Sequence, residues 1–278
     1  YERSCSYWHE RDSMDISDIA SDLRDEQQAL DEVVAGLDDS SWGLDTPSPR
    51  WSVADQIGHL TYFDYTAAIA ISNPDHFQEL VNDLVSNVSR EPDSVDEFTL
   101  GKYRKLSPGE LLKEWRSERQ HLAEAAESLE SDTRVAWYGP SMGARSFLTA
   151  RLMEVWAHGQ NIVDAVDGSR APTERLRHIA QLGVITRQWT YMNRGLEAPS
   201  DEVTVNLTSP NGDLWSWGPG NTDSSVQGPA EDFCLVVTQR RHLDDTSLVV
   251  QGDSARDWLT KAQAFAGPAT DGPIPESH

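Results

Sequence analysis

Apolar residues recur at Ile19, Leu23, Leu30, Val33, Val34 and Leu37, the three-and-four spacing that lays one stripe along a helix over 17–37. A second helix is expected in SVADQIGHLTYFDYTAAIAI. Ser52 stands where an N-cap hydroxyl is needed, Asp55 sits at the capping-box position, and the proline-rich TPSPRW (46–51) precedes both. The pattern over 73–104 is mixed, with a helix around 77–87. Ser107 and Pro108 make an N-cap and N1 pair for a third long helix, running to about Leu129. The turn-rich WYGPSMGAR (137–145) leads into a fourth, over about 145–166, which stops at Asp167-Gly168. A further helix runs from about Thr173 to Asn193.

The period changes after Gly195. Val203, Val205 and Leu207 alternate as in a strand, Asn211-Gly212 reads as a two-residue hairpin turn, and DLWSWG returns. SSVQG is a short strand, EDFCLVVTQRRHL a helix, TSLVVQG a strand and SARDWLTKAQAFAG a final helix. The pattern predicts an N-terminal extension (1–13), a helical bundle with one appended helix (14–195), a small α+β domain (196–268) and a disordered tail (269–278).

Bulk properties narrow the function. A chain of 278 residues suits two domains, and no apolar run is long enough for a transmembrane helix. The 23 basic against 46 acidic residues give a formal charge of −23, which repels phosphate backbones, so nucleic acid is not expected as a partner. The acidity reads as solubility or salt adaptation of the host. Two cysteines, Cys5 and Cys234, make neither a disulfide framework nor a cysteine zinc site. The opening YERSCSYWHERDS has no apolar signal core, and a cytoplasmic location is expected.

Candidate chemistry lies on two helices. Arg151, Glu154, His158 and Asn161 share one face of the fourth helix. Alone, that row reads as a solvated face with an Arg–Glu pair. His59, on the second helix, shares its face with Asp55, Tyr62, Phe63 and Thr66, which suits the lining of a partly apolar cavity. Two imidazoles and a carboxylate are a ligand set for catalytic zinc, with a coordination position left open. The set suits Zn2+ best and would accept Ni2+, Co2+ or Fe2+. Rival motifs are weaker. GPSMG (139–143) fits Gly-x-Ser-x-Gly without the strand-turn-helix context of a hydrolase elbow. Cys234, inside FCLVV, reads as core, and Trp215 and Trp217 as cross-strand packing.

WSVADQIGHL (51–60) and EVWAH (154–158) resemble the DinB-like helical-bundle superfamily, and within it the mycothiol-dependent maleylpyruvate isomerase branch. WYGPSM (137–142), RLMEVWAHGQ (151–160), RLRHIAQLGV (175–184) and DFCLVVTQRRH (232–242) resemble an actinobacterial metal-binding group of that branch. The resemblance implies a four-helix bundle followed by a small α+β C-terminal domain. It implies a divalent metal, Zn2+ first, on His59, Glu154 and His158, with mycothiol as co-substrate. A metal-held thiolate would attack a small electrophile. Expelling the thiol after bond rotation gives isomerisation, and keeping it gives S-transfer. Relatives often carry Asp three residues after the second histidine, where this chain has Asn161. An arginine of the C-terminal domain is implicated in relatives, which makes Arg240 and Arg241 the candidate anchors for an anionic substrate, with Arg151 as a second candidate. The alternative function is a metal- or small-ligand-binding protein of the same fold without turnover.

Overall fold

Ser52 and Ser107 open helices as their spacing predicts. In the computed structural model, which describes residues 15–88, 92–220 and 222–276, Asp55 N–H donates to Ser52 Oγ (3.2 Å) and Ser52 N–H donates back to Asp55 Oδ2 (3.0 Å). Ser107 and Glu110 repeat this box, with Ser107 N–H 2.9 Å from Glu110 Oε2. Two of the backbone donors at each helix start are thereby satisfied.

The chain divides into two compact units between Gly168 and Ser169. The first contains α1 (Ile16–Ala35), α2 (Val53–Ser72), α3 (Pro74–Asn87), α4 (Pro92–Leu100), α5 (Pro108–Ala126) and α6 (Ala144–Ala165). A two-stranded antiparallel ribbon, β1 (Arg134–Val135) with β2 (Met142–Gly143), precedes α6. Helix α2 packs on both α5 and α6, and α1 packs on the same two. Leu30, Val53, Ile57, Leu60, Trp115, Leu148, Leu152 and Val155 fill the space between them and are fully or almost fully buried. Arg116 ties α5 to α1 by donating to both carboxylate oxygens of Asp31 (2.6 and 2.7 Å). The mixed stretch over 73–104 resolves into two helices, because Asn73 caps α3 with Pro74 following it and α4 starts at a second proline.

The second unit contains α7 (Leu176–Ile185), α8 (Arg187–Asn193), β3 (Val203–Thr208), β4 (Leu214–Trp217), β5 (Ser224–Pro229), α9 (Ala230–Val237), β6 (Val249–Gln251) and α10 (Asp253–Leu259). The sheet order is β4-β3-β5-β6, with β3 and β5 parallel and the other pairs antiparallel. Val205, Leu207 and Val226 point into its core against Phe233 and Trp258 of the covering helices, all buried.

Several expectations change here. The single helix expected over 173–193 breaks at Thr186, whose hydroxyl donates to the Leu182 carbonyl (2.7 Å) and competes with the backbone ladder. The compact units divide near 168 rather than at the change of period near 195, because α7 packs on α9 of the second unit. Gly183 permits that approach: a Cβ there would lie 2.8 Å from Val237 Cγ2. The β3–β4 connection spans five residues, 209–213, closed by Ser209 N–H to Asp213 O, so Asn211-Gly212 is part of a longer loop. Helix α10 stops at Leu259, and the following backbone is taken up by Val237 O and Thr190 Oγ1. The tail is bonded as far as Glu276: Thr270 N–H donates to Gln263 Oε1, and Glu276 N–H to Asp245. The extension 1–13 lies outside the described residues. No described helix is long and apolar enough to cross a membrane.

Candidate metal centre

Helices α2 and α6 bring His59, Glu154 and His158 together. One ligand atom from each lies within 4.8 Å of the others. Both imidazole Nε2 atoms stand 3.3 Å from Glu154 Oε2, and the rings are 4.2 Å apart, centre to centre. The sequence supplies this locally. The box at Ser52 sets where α2 begins, which fixes the side on which His59 emerges two turns later. Glu154 and His158 are one turn apart on α6.

Apolar rings wall the cluster. Trp51 lies 5.0 Å from the His59 ring and stacks at 5.8 Å on His158, while Phe63 lies 4.5 Å from His59. Phe63 in turn meets Trp137 and Tyr138. The aromatic lining expected from the His59 face is therefore present, but Asp55 faces elsewhere and pairs with Arg104 (2.7 Å).

A chain of hydrogen bonds fixes one imidazole. The Thr46 hydroxyl donates to the Trp51 carbonyl (2.7 Å), so Thr46 Oγ1 receives the Gln56 amide N–H (2.8 Å). Gln56 Oε1 is then an acceptor, and the group 2.5 Å away, His158 Nδ1, must carry the proton it accepts. In a neutral ring the lone pair is left on Nε2, facing Glu154. Two acceptors at 3.3 Å repel unless a cation, a proton or a metal, lies between them. This donor set fits a divalent ion. Asn161 supports Gln56 by donating to Oε1 (3.4 Å) while its amide also donates to Ser48 Oγ (2.8 Å). Asn161 thus reaches His158 through Gln56. Gln56 was not singled out in the sequence; its one signal is its place three residues before His59 on the same face of α2.

Burial opposes ionisation of Glu154, but a proton held between it and His158 or His59, with the Arg151 charge nearby, outweighs burial and holds the carboxyl well below the ordinary range. Among the described residues no Arg151–Glu154 ion pair forms. Arg151 approaches Asp64 instead, at 3.8 Å.

Each remaining candidate has contacts within its own unit. Arg240 and Arg241 follow α9 in the second unit, where their side chains donate to the carbonyls of Thr238 and Arg240 (2.5 and 2.7 Å). Ser141 is exposed in the turn before β2 and its Oγ accepts from Arg134 Nε (3.1 Å). Cys234 is buried, donates to Leu176 O, and burial pushes its thiol well above the ordinary value. Trp215 and Trp217 pair across strands with Leu207 and Val205.

Known proteins resemble this chain over most of its length. Two uncharacterised proteins from two strains of Mycobacterium tuberculosis are each 42% identical over 254 residues, covering 91% of this chain and 97% of theirs. Crystal structures of the mycothiol-dependent maleylpyruvate isomerase and of a histidine-to-alanine mutant of it share the fold. The TM-scores are 0.56 and 0.57 at 16% identity, over 85% of this chain and 93% of that one. Mixed helical units with a small sheet are thus common to both. The family model of the mycothiol maleylpyruvate isomerase N-terminal domain matches residues 23–163, which contain His59, Glu154 and His158, and the chain belongs to that family.

Proposed function

We propose that the protein is a metal-dependent enzyme that uses a low-molecular-weight thiol, mycothiol, in S-transfer to, or isomerisation of, a small electrophile. In this reading α1, α2, α5 and α6 are a DinB-like four-helix bundle and a cytoplasmic enzyme is built on it. The observation that carries the proposal is the convergence of His59, Glu154 and His158 from two helices. These three would hold the metal, Zn2+ by preference. When bound, such an ion lowers the pKa of a thiol from its free value near ~8.5 and fixes the sulfur in place.

The chain's own groups do the rest. Gln56 keeps the His158 proton on Nδ1, so Nε2 faces inward. Glu154 is ionised and matches the positive charge. Trp51 and Phe63 exclude water from one side of the cluster, which strengthens each electrostatic contact within it. A thiolate bound at these residues would add to one carbon of an activated double bond and push the electron pair onto the activating group. Its expulsion after bond rotation would return the thiolate and give an isomer, whereas uptake of a proton at the neighbouring carbon would leave a thioether. Arg240 and Arg241 are proposed to act on the substrate's negative charge.

The test is consumption of mycothiol by purified protein in the presence of an electrophile. The expected result is saturable turnover that is lost in His59→Ala and reduced in Arg240→Ala or Arg241→Ala. Tight ligand binding with no turnover in the wild-type protein would favour a binding protein instead.

A further inference from the structure

The second unit contains a cavity of about 440 Å3 built wholly from its own residues. That volume suits a small molecule. The cavity opens between the α7–α8 junction, the start of β3 and α10. Val184, Pro199 and Val203 supply apolar wall, and Arg187, Glu202 and Trp258 supply polar groups. The donors among these are not used up. Trp258 is 1% exposed, and its Nε1–H has no acceptor. The half-buried Arg187 lies against the Trp258 ring, 6.0 Å from its centre. Its Nη2 donates to Pro199 O (3.3 Å), its Nε is buried without an acceptor, and no described residue accepts from Nη1. Unlike Nε, Nη1 keeps accessible surface, so an acceptor meets that edge of the fork first.

The same cavity carries the opposite charge. Glu202 is exposed at the start of β3 and, like Arg187, forms no ion pair among the described residues. A guanidinium and a carboxylate on one cavity, each without a counter-ion, select a ligand that bears both charges. A plain anion would meet the like charge of Glu202, and a plain cation that of Arg187.

We infer that this cavity binds a zwitterionic α-amino acid with an apolar side chain. Its carboxylate sits on the Nη1 edge of Arg187, its ammonium faces Glu202 and its side chain lies against Val184 and Val203. The parallel N–H groups of a guanidinium edge fit the two oxygens of a carboxylate. A zwitterion has no net charge, so a chain charge of −23 does not repel it. Such a site stands apart from the triad and from the thiol chemistry proposed there.

Equilibrium dialysis of the full chain against radiolabelled L-leucine and L-phenylalanine tests this. Two competitors of leucine shape are added: 4-methylpentanoate, which lacks the ammonium, and 3-methylbutylamine, which lacks the carboxylate. Saturable binding of L-leucine is expected, with each competitor weaker on the order of 10-fold or more. Glu202→Gln, at an exposed position, should erase the preference for L-leucine over 4-methylpentanoate. Arg187→Met should erase the preference over 3-methylbutylamine. If Arg187→Met does not fold, the competitors and Glu202→Gln decide alone. Amino acids also ligate metals, so the dialysis is repeated with a chelator and with His59→Ala, and binding should be unchanged in both. Loss of binding there would place L-leucine at the triad and overturn the cavity site. A competitor that binds as tightly as L-leucine overturns the zwitterion, and no saturable binding of either amino acid overturns the inference. Turnover of mycothiol is not read in this assay, so its failure leaves the triad reading to its own test.

Discussion

At the residue scale the triad is held by groups that are not ligands. Gln56 is fully buried and joins His158 to Thr46 and Asn161, so its amide decides which imidazole nitrogen is free. Gln56→Leu keeps the volume and removes the acceptor. Metal affinity should fall about 10- to 100-fold, as for other groups that orient a metal-binding imidazole. Competition with a chelator measures it; affinity unchanged within error would show that Gln56 does not orient the ring. Asp64 gives a second prediction. Full burial pushes its pKa up to about 6, despite Arg151 and the bonds from Trp115 and Gln27. The folded value exceeds the unfolded one near ~3.9, so the folded state binds more protons between them. Stability is therefore greatest below pH ~4 on this account and is lost as pH rises through about 6. Asp64→Asn removes that dependence. Denaturant melts at both ends of the window should show the variant gaining roughly 2 kcal/mol on wild type toward the high-pH end. The three residues proposed as ligands were legible because helical spacing and residue type together single them out. Gln56 and Asp64 were not, since a buried amide or acid acquires meaning only from partners on other helices.

Elements were most legible where caps and prolines mark them. The starts of α2 and α5 follow from Ser52 with Asp55 and Ser107 with Glu110. Ser52→Ala should cost about 1 kcal/mol in a urea melt, the usual worth of an N-cap. A loss near zero would mean that Asp55 holds the helix start without the hydroxyl. Helix ends in the second unit were less legible. The Thr186 break, the five-residue loop at 209–213 and the early stop of α10 all depend on hydrogen bonds to distant residues. Gly183 carries the close contact of α7 with α9, and Gly183→Val would press into Val237 and Phe233. Overpacking of that kind costs about 1–3 kcal/mol, to be read as a lowered melting temperature. An unchanged melt would mean that the two helices separate freely.

For the whole molecule the period of the pattern located a change of architecture, while the compact units divide some 27 residues earlier, after Gly168. Periodicity reports how one element faces a core and is silent on which core it joins, so it does not by itself place α7 and α8, which cluster with the second compact unit. The charge of −23 acts on the entire chain. Self-repulsion is screened by salt, so the melting temperature should rise between low salt and about 1 M NaCl. Falling stability over that range would mean that ion pairs such as Arg116–Asp31 outweigh the repulsion. The proposed function rests on one requirement, a divalent ion held between α2 and α6. Metal analysis of the purified full chain tests it most directly. The account predicts about one zinc or similar divalent ion per chain in the wild-type protein and none in a folded His158→Ala variant. A metal-free wild-type protein that also takes up no added Zn2+, or equal metal content in the variant, would contradict it.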